Sequence, residues 1–294
     1  MYNTLLCTVK TDPECIPCIL NQTIRAVKFS KNEHMLEKVL KNTLQTLLET
    51  NWNNPPMALG FETFKTIRLT LGINDPYREE KKRVNNFAQK LLSQIEEIAR
   101  KSRDKVDTAI KIAIAGNIID YGSQSGFDVK KTITQVLHTK PAIYDIDILK
   151  EKLRNANRVM IFLDNAGEVV FDRYMLETFK EAYGIRNFTV VARKEPMIND
   201  IIVEELDELG FKTLGDIDYR AMPSSSIREW KRFLPELKKW IKEADIVISK
   251  GQGNFELMEG LKGIFFMFMV KCDVVAKIVG AKKGSIILKF SGTS

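Results

Sequence analysis

The chain has 294 residues, enough for one large domain or two ordinary ones. Hydrophobic residues make up 44% and charged residues 28%, which excludes a disordered, collagen-like or disulfide-scaffold chain. The net charge of +7 is modest at this length, so it favours an anionic ligand without arguing for nucleic acid.

Helical spacing of apolar residues dominates the first half of the chain. The pattern predicts helices over 18–27 and 35–48, one starting at Pro56, a long charged one through Ile98, and one through 110–118 that stops near Gly122. No convincing strand precedes residue 155. We therefore predict an all-helical bundle domain over residues 1–150.

Short continuous apolar runs appear in the second half, as in strands buried on both faces. They predict strands over 159–163, 188–192, 245–249, 264–270 and 285–288. Helical patterns lie between them over 169–183, 200–209, 227–242 and 273–279. This alternation predicts an α/β fold: a three-layer α/β/α, Rossmann-like domain with a mostly parallel sheet over residues 151–294.

Oxygen-bearing side chains follow two of the predicted strands. Asp164 and Asn165 come after the first strand, and Asp200 comes shortly after the second. Ligands bind at the carboxyl ends of strands in such sheets, and carboxylate and amide oxygens suit Mg²⁺ or Mn²⁺. From the motifs alone, the same residues could simply cap the helices that follow them.

Groups suited to a phosphate lie at the same strand ends. They are Gly167 at a helix start, Arg193, and Lys250, Gly251, Gly253 and Asn254 in the turn after the third strand. That turn lacks the Gly-Lys-Ser/Thr of a Walker loop, and its bland interpretation is a tight strand-to-helix turn. An Asp-x-Asp pair is absent after the first strand, so we disfavour a phospho-aspartyl intermediate and favour direct attack by water.

The helical half offers further candidates. Asn117 and Asp120 share a face at the end of an apolar helix, although their spacing alone favours an ordinary polar helix end that stops at Gly122. The cysteine pair Cys15 and Cys18 could meet Cys272 in a second metal site or a redox pair. Burial as small hydrophobic side chains is the alternative.

Six ordered motifs span nearly the whole chain. They are the cysteine pair at 15–18, AGNIIDYG at 115–122, DNAGE at 164–168, ARKEPMIND at 192–200, KGQGNFE at 250–256, and Lys271-Cys272. Together they resemble the domain-of-unknown-function family 89, the metal-dependent damage-control phosphatases. The cysteine pair is similar to that of its archaeal and bacterial subgroup.

The resemblance implies a helical bundle followed by an α/β/α domain. It implies a divalent metal (Mn²⁺, Co²⁺, Ni²⁺ or Mg²⁺) held by residues matching Asp164, Asn165 and Asp200. Lys250 matches a phosphate-contacting lysine, and the positions of Asn117 and Asp120 help line the family's site. Substrates in the family are small phosphorylated metabolites, often sugar phosphates or damaged relatives of cofactors.

We therefore predict a phosphatase in which a metal-activated water attacks the phosphate of a small metabolite. Asp164, Glu168, Lys250 and Asp120 are the predicted catalytic residues, with Glu168 or Asp120 positioning the water. One rival is an S-adenosylmethionine-dependent carboxyl methyltransferase of the same fold. The other is a non-enzymatic protein that binds a metal or a nucleotide.

Two sequence features bear on the cellular location of the protein. No signal-peptide pattern opens the chain. The longest apolar run, Gly263–Val270, is far shorter than the about 20 residues of a membrane span. We expect a cytoplasmic protein that binds neither nucleic acid nor membrane; the sequence fixes no oligomeric state.

Overall fold

Helices precede the sheet along the chain, as the apolar periodicity predicts. The computed structural model describes residues 9–118, 137 and 139–292. The helices before the sheet are α1 (Cys15–Phe29), α2 (Leu36–Glu49), α3 (Pro56–Leu71), α4 (Arg78–Arg100) and α5 (Lys105–Ala115). Pro56 opens α3 at a position where its missing N–H costs nothing. Asp104 caps α5 by accepting a hydrogen bond from the Asp107 amide at 3.0 Å.

Strands and helices then alternate through the rest of the chain. The strands are β1 (Ile143–Tyr144), β2 (Arg158–Phe162), β3 (Asn187–Arg193), β4 (Asp216–Met222), β5 (Ile246–Lys250), β6 (Ile264–Met269) and β7 (Ile286–Phe290). The helices are α6 (Ile146–Leu153), α7 (Glu168–Tyr183), α8 (Ile227–Glu243), α9 (Gln252–Met258) and α10 (Asp273–Val279). In the described ranges, no helix has both the length and the apolar character needed to cross a bilayer.

The strands form one seven-stranded sheet in the order β1-β7-β6-β5-β2-β3-β4. All neighbouring strands are parallel except β6 and β7, so the predicted mostly parallel α/β sheet is confirmed. The chain runs outward from β2 to β3 and β4, then returns to place β5 on the other side of β2. This reversal creates a crevice at the carboxyl ends of β2 and β5, where ligands bind in such sheets.

Helices pack on both faces of the sheet. Along β2, Val159 and Ile161 join a core with α4, α5 and α7. Met160 and Phe162 point the other way, into a core with α3, α8 and α9. The helices before residue 118 thus contribute to two different cores, and the predicted division of the chain at residue 150 stays a prediction.

Helix α6 was not expected, and three further elements differ from the sequence prediction. The strands β1 and β4 were not expected: β1 has two residues, and β4 is a polar edge strand with no continuous apolar run. The predicted helix over 200–209 is wrong. The amide of Ile201 donates to the Asp164 carbonyl oxygen at 2.9 Å, and its carbonyl accepts from the Arg193 amide at 3.0 Å. The backbone of Ile201 therefore hydrogen-bonds to the ends of β2 and β3 instead of forming a helix. Only short 3₁₀ turns follow.

Candidate active site

The predicted metal ligands meet at the carboxyl end of β2. Asp164 and Asn165 follow that strand directly, and an isolated bridge pairs Asn165 with Asp200. The Ala166 amide also donates to the Asn199 carbonyl oxygen at 2.9 Å. All three candidate ligands line one cavity of about 550 Å³, as the parallel strand ends predict.

Negative charge exceeds positive charge in the buried cluster around these ligands. Burial raises the pKa of Asp164 well above its usual range, and the Asp200 and Glu168 carboxylates raise it further. Burial also raises the pKa of Asp200, although Arg193 opposes this rise. The buried charges around the ligands are five carboxylates against three cations, namely Asp164, Glu168, Asp172, Asp200 and Glu256 against Lys81, Arg193 and Lys250. A divalent cation would offset this excess.

The donor chemistry also fits a hard divalent cation. The Asn165 amide nitrogen donates to Asp164 Oδ2 at 2.7 Å, so its amide oxygen is the atom left for a ligand. Within the described part of the chain, no three His, Cys, Asp or Glu side chains are grouped to hold a metal ion. The candidate centre therefore needs this amide oxygen as its third protein donor, beside Asp164 and Asp200.

Gly251 makes room for the Asp164 carboxylate. Its φ is +80°, and a Cβ on it would lie 2.0 Å from Asp164 Oδ2. Its amide donates to the Met267 carbonyl oxygen at 3.1 Å. The N–H is thus used within the sheet, and the site requires the absence of a side chain at this position. The predicted phosphate contact of Gly251 stays a prediction.

Arg193 holds Asp200 from beneath the cavity. Its side chain is fully buried. The guanidinium donates from Nε to Asp200 Oδ2 at 2.7 Å and from Nη2 to Asn254 Oδ1 at 2.8 Å. Asn254 in turn donates to the Leu163 and Lys250 carbonyl oxygens at 3.0 and 2.8 Å. Both residues were predicted to bind phosphate, but their polar groups are used to hold the strand ends.

Lys250 is also buried beneath the cavity. Its ammonium donates to the Ala113 carbonyl oxygen at 3.0 Å, to Glu168 Oε1 at 2.6 Å, and to Asp172. Three partners use all three N–H donors of a lysine. Lys250 is placed to hold Glu168 and Asp172, and its direct contact with phosphate stays a prediction.

The predicted phosphate-binding residues thus divide by depth. Gly253 lies on the cavity wall. Asn117, Gly167, Arg193, Lys250, Gly251 and Asn254, together with the predicted catalytic residue Glu168, do not line it. The Gly167 amide donates to Asn85 Oδ1 at 2.6 Å, and its predicted phosphate contact stays a prediction. Asp120 lies outside the described residues, so its predicted role stays a prediction.

Lys271 supplies positive charge on the cavity wall itself. It follows β6 at the same edge of the sheet, and Arg25 and Lys283 line the cavity as well. The charge of Lys271 lowers the pKa of both Asp164 and Asp200, against the rise caused by burial. The sequence motif contained this lysine but assigned it no role; its position after a parallel strand was the available signal.

The three cysteines also line the cavity. Cys15 and Cys18 reach it from α1, and Cys272 reaches it from the loop after β6. Burial raises the pKa of Cys15 to about 11 and raises that of Cys18 too. All three are free thiols, and Gln252 donates to Cys272 Sγ at 3.4 Å. A second metal site or redox role for these three cysteines stays a prediction. The fourth cysteine of the chain, Cys7, lies outside the described residues.

Helix α4 supplies site contacts that sequence reasoning missed. Lys81 is 1% exposed and pairs with Asp75 and Glu205, each at 2.7 Å. Its ammonium also reaches the Asp200 carbonyl oxygen at 3.5 Å. One turn further on, Asn85 accepts the Gly167 amide. Within a run of charged residues, neither side chain carries a sequence signal for burial.

Comparisons with known proteins agree with this architecture. Residues 11–287 match the family described as the damage-control phosphatase ARMT1-like domain. A damage-control phosphatase of Pyrococcus horikoshii is 29% identical over 95% of this chain and 97% of its own length. A damage-control phosphatase of Archaeoglobus fulgidus is 29% identical over 96% of this chain and 99% of its own.

A solved structure supports the same assignment. The crystal structure of a family-89 (DUF89) protein from Pyrococcus horikoshii superposes with a TM-score of 0.82 at 28% identity. The match covers 96% of this chain and 99% of that one. The chain belongs to the damage-control phosphatase ARMT1-like family, as the six motifs predicted.

Proposed function

We propose that this family member is a divalent-metal-dependent phosphatase of small phosphorylated metabolites. One observation carries the proposal: Asp164, Asn165 and Asp200 line a cavity beside buried carboxylates whose charge is only partly offset. The names of the two archaeal relatives support the phosphatase class.

The side chains around the ligands have distinct tasks. Asp164, Asn165 and Asp200 would hold the ion, which when bound supplies Lewis-acid polarisation and water activation. Arg193 fixes the Asp200 carboxylate by a hydrogen bond at 2.7 Å. Gly251 leaves the space that the Asp164 carboxylate fills. Because these contacts exist before substrate arrives, the site is preorganised, as electrostatic catalysis requires.

Lys271 is the cation on the cavity wall that we assign to the substrate phosphate. The phosphate brings negative charge to a site already rich in carboxylates, so a wall cation offsets the repulsion. In the reaction, a water oxygen forms a bond to phosphorus and the ester P–O bond breaks. One proton of the water passes to the leaving oxygen, which gives an alcohol, and the other stays on the inorganic phosphate.

The cavity suits a small polar substrate. Its volume of about 550 Å³ falls within the roughly 300–1,000 Å³ typical of small-molecule sites. Asn21 and Gln22 line it away from the sheet edge and offer amide groups to hydroxyls. These groups support sugar phosphates among the substrates.

Hydrolysis of p-nitrophenyl phosphate by the chelator-stripped protein tests the proposal. Mg²⁺, Mn²⁺, Co²⁺ and Ni²⁺ are added back one at a time. We expect metal-dependent release that is lost in Asp164→Asn. The matched control is Asp107→Asn, which removes a charge that pairs with Lys111 at 2.9 Å, outside the cavity. Folded protein that releases no nitrophenol with any of the four metals would refute the proposal.

A further inference from the structure

We infer that Asp172 is a positioning residue of the candidate metal site, acting on Asp164 through Lys250, Glu168 and Asn117. The inference rests on the proposed function insofar as the site holds a divalent metal. It assigns no contact with substrate to Asp172.

The relay begins inside α7. Glu168 and Asp172 are one helical turn apart, so their side chains lie on the same face. Both are fully buried. The Lys250 ammonium lies between them, bonded to Glu168 Oε1 at 2.6 Å and to Asp172. One cation thus joins two carboxylates, and removal of either carboxylate changes the pull on the other.

Asn117 carries the relay to the cavity. Its amide nitrogen donates to Glu168 and to Asp164 Oδ2, the second at 3.3 Å. Its amide oxygen is buried and has no hydrogen-bond partner among the described residues. The two carboxylates therefore orient this amide through its nitrogen. Asp164 Oδ2 accepts Asn165 as well, at 2.7 Å, so two amides orient the carboxylate.

Packing alone does not account for the ion cluster. Within the part of the chain that the structure describes, Asp172 Oδ2 is buried without a hydrogen-bond partner, which is a cost that an apolar side chain would avoid. Replacing buried ion clusters with apolar residues is often neutral or stabilising. The arrangement instead places two carboxylates against Lys250, and Asp172 is the one that holds the lysine toward α7. The third hydrogen bond of Lys250 goes to the Ala113 carbonyl oxygen on α5, at 3.0 Å.

Mn²⁺ affinity in a double-mutant cycle tests the relay. Binding of Mn²⁺ to the chelator-stripped full chain is followed by electron paramagnetic resonance, for wild type, Asp172→Asn, Lys250→Met and the double variant. Loss of a residue that orients a metal ligand weakens binding about 10- to 100-fold, and we expect this for each single variant. Because Asp172 acts through Lys250, Asp172→Asn adds little in the Lys250→Met background.

The control and the alternative outcomes separate positioning from general damage. Asp107→Asn makes the same chemical change on α5 and should keep wild-type Mn²⁺ affinity. Wild-type affinity in Asp172→Asn, or additive effects in the cycle, overturns the inference. If the Asp172 variant does not fold, Asn117→Ala decides at the cavity end of the relay: unchanged affinity there overturns the inference, and a loss of about tenfold or more supports it.

The binding readout keeps the inference separate from the proposed function. Wild-type protein that binds Mn²⁺ but hydrolyses no phosphate ester refutes the phosphatase, and the cycle still decides the role of Asp172. A metal-dependent phosphatase whose Mn²⁺ affinity ignores Asp172→Asn refutes only the relay.

Discussion

Substitution of Gly251 by alanine should damage the site through a single added carbon. The backbone there has φ +80° and ψ 154°, a region that is nearly restricted to glycine and costs other residues about 1–3 kcal/mol. The new Cβ would lie 2.0 Å from Asp164 Oδ2, whereas carbon–oxygen contacts in proteins lie near about 3.3 Å. The carboxylate must therefore move by more than about 1 Å, the displacement at which catalytic geometry loses about 100-fold in rate.

Two assays separate backbone strain from displacement of the carboxylate. Urea unfolding should show a loss of about 1–3 kcal/mol in Gly251→Ala, and Mn²⁺ affinity and p-nitrophenyl phosphate turnover should both fall. Gly280→Ala is the matched control, because Gly280 has φ +70° but an added Cβ meets nothing within 4 Å. That variant should lose stability and keep Mn²⁺ affinity. The reasoning fails if both variants bind Mn²⁺ as wild type does.

Three further predictions concern groups around the cavity. Lys81→Met should lower the free energy of unfolding by about 3 kcal/mol, because Asp75 and Glu205 both lose their buried cation. Calorimetry should also show Mn²⁺ affinity about tenfold weaker, since the Asp200 carbonyl loses its contact with Lys81. An unchanged free energy of unfolding together with an unchanged Mn²⁺ affinity would contradict this prediction. Burial raises the pKa of Glu256 to about 7, so the folded state holds that proton more tightly than the unfolded state. The stability that this group contributes is present at low pH and is lost as pH rises from about 4.5 through about 7. Over that pH range, urea titrations should show that the free energy of unfolding falls by about 3 kcal/mol less in Glu256→Gln than in wild type. With a pKa near 11, Cys15 should react with iodoacetamide at pH 8 about 100-fold more slowly than an ordinary thiol, and mass spectrometry that finds an ordinary rate would refute the burial argument.

The sequence predicts the central elements of the fold well because they are buried on both faces. The strands at 159–163, 188–192, 245–249, 264–270 and 285–288 all exist, within a residue or two at their ends. β4 could not be predicted in the same way, since an edge strand with one polar face has no continuous apolar run. The helix expected over 200–209 failed because its first residues pair with the ends of β2 and β3, a long-range effect that overrides local periodicity.

The candidate site divides along the same line. Asp164, Asn165 and Asp200 were predictable, because strand ends in a parallel sheet converge wherever their loops go. The burial of Arg193 and Lys250 could not be predicted, since a charged side chain after a strand is expected to be solvated unless its partners are known. Asp172 and Lys81 sit in helical segments where charged residues are usually solvated, and no local pattern distinguishes them.

The pairing of β2 with β5 also governs how the chain is made. Val159 lies opposite Ile246, so the central pair of strands cannot close until most of the polypeptide has left the ribosome. By then α3 and α5 have already been synthesised. Their apolar faces pack, in the folded protein, against strands and helices that are synthesised later. Contacts this distant along the chain slow folding and lengthen the exposure of such surfaces. We therefore expect the nascent N-terminal helices to need protection by a chaperone until β5 arrives.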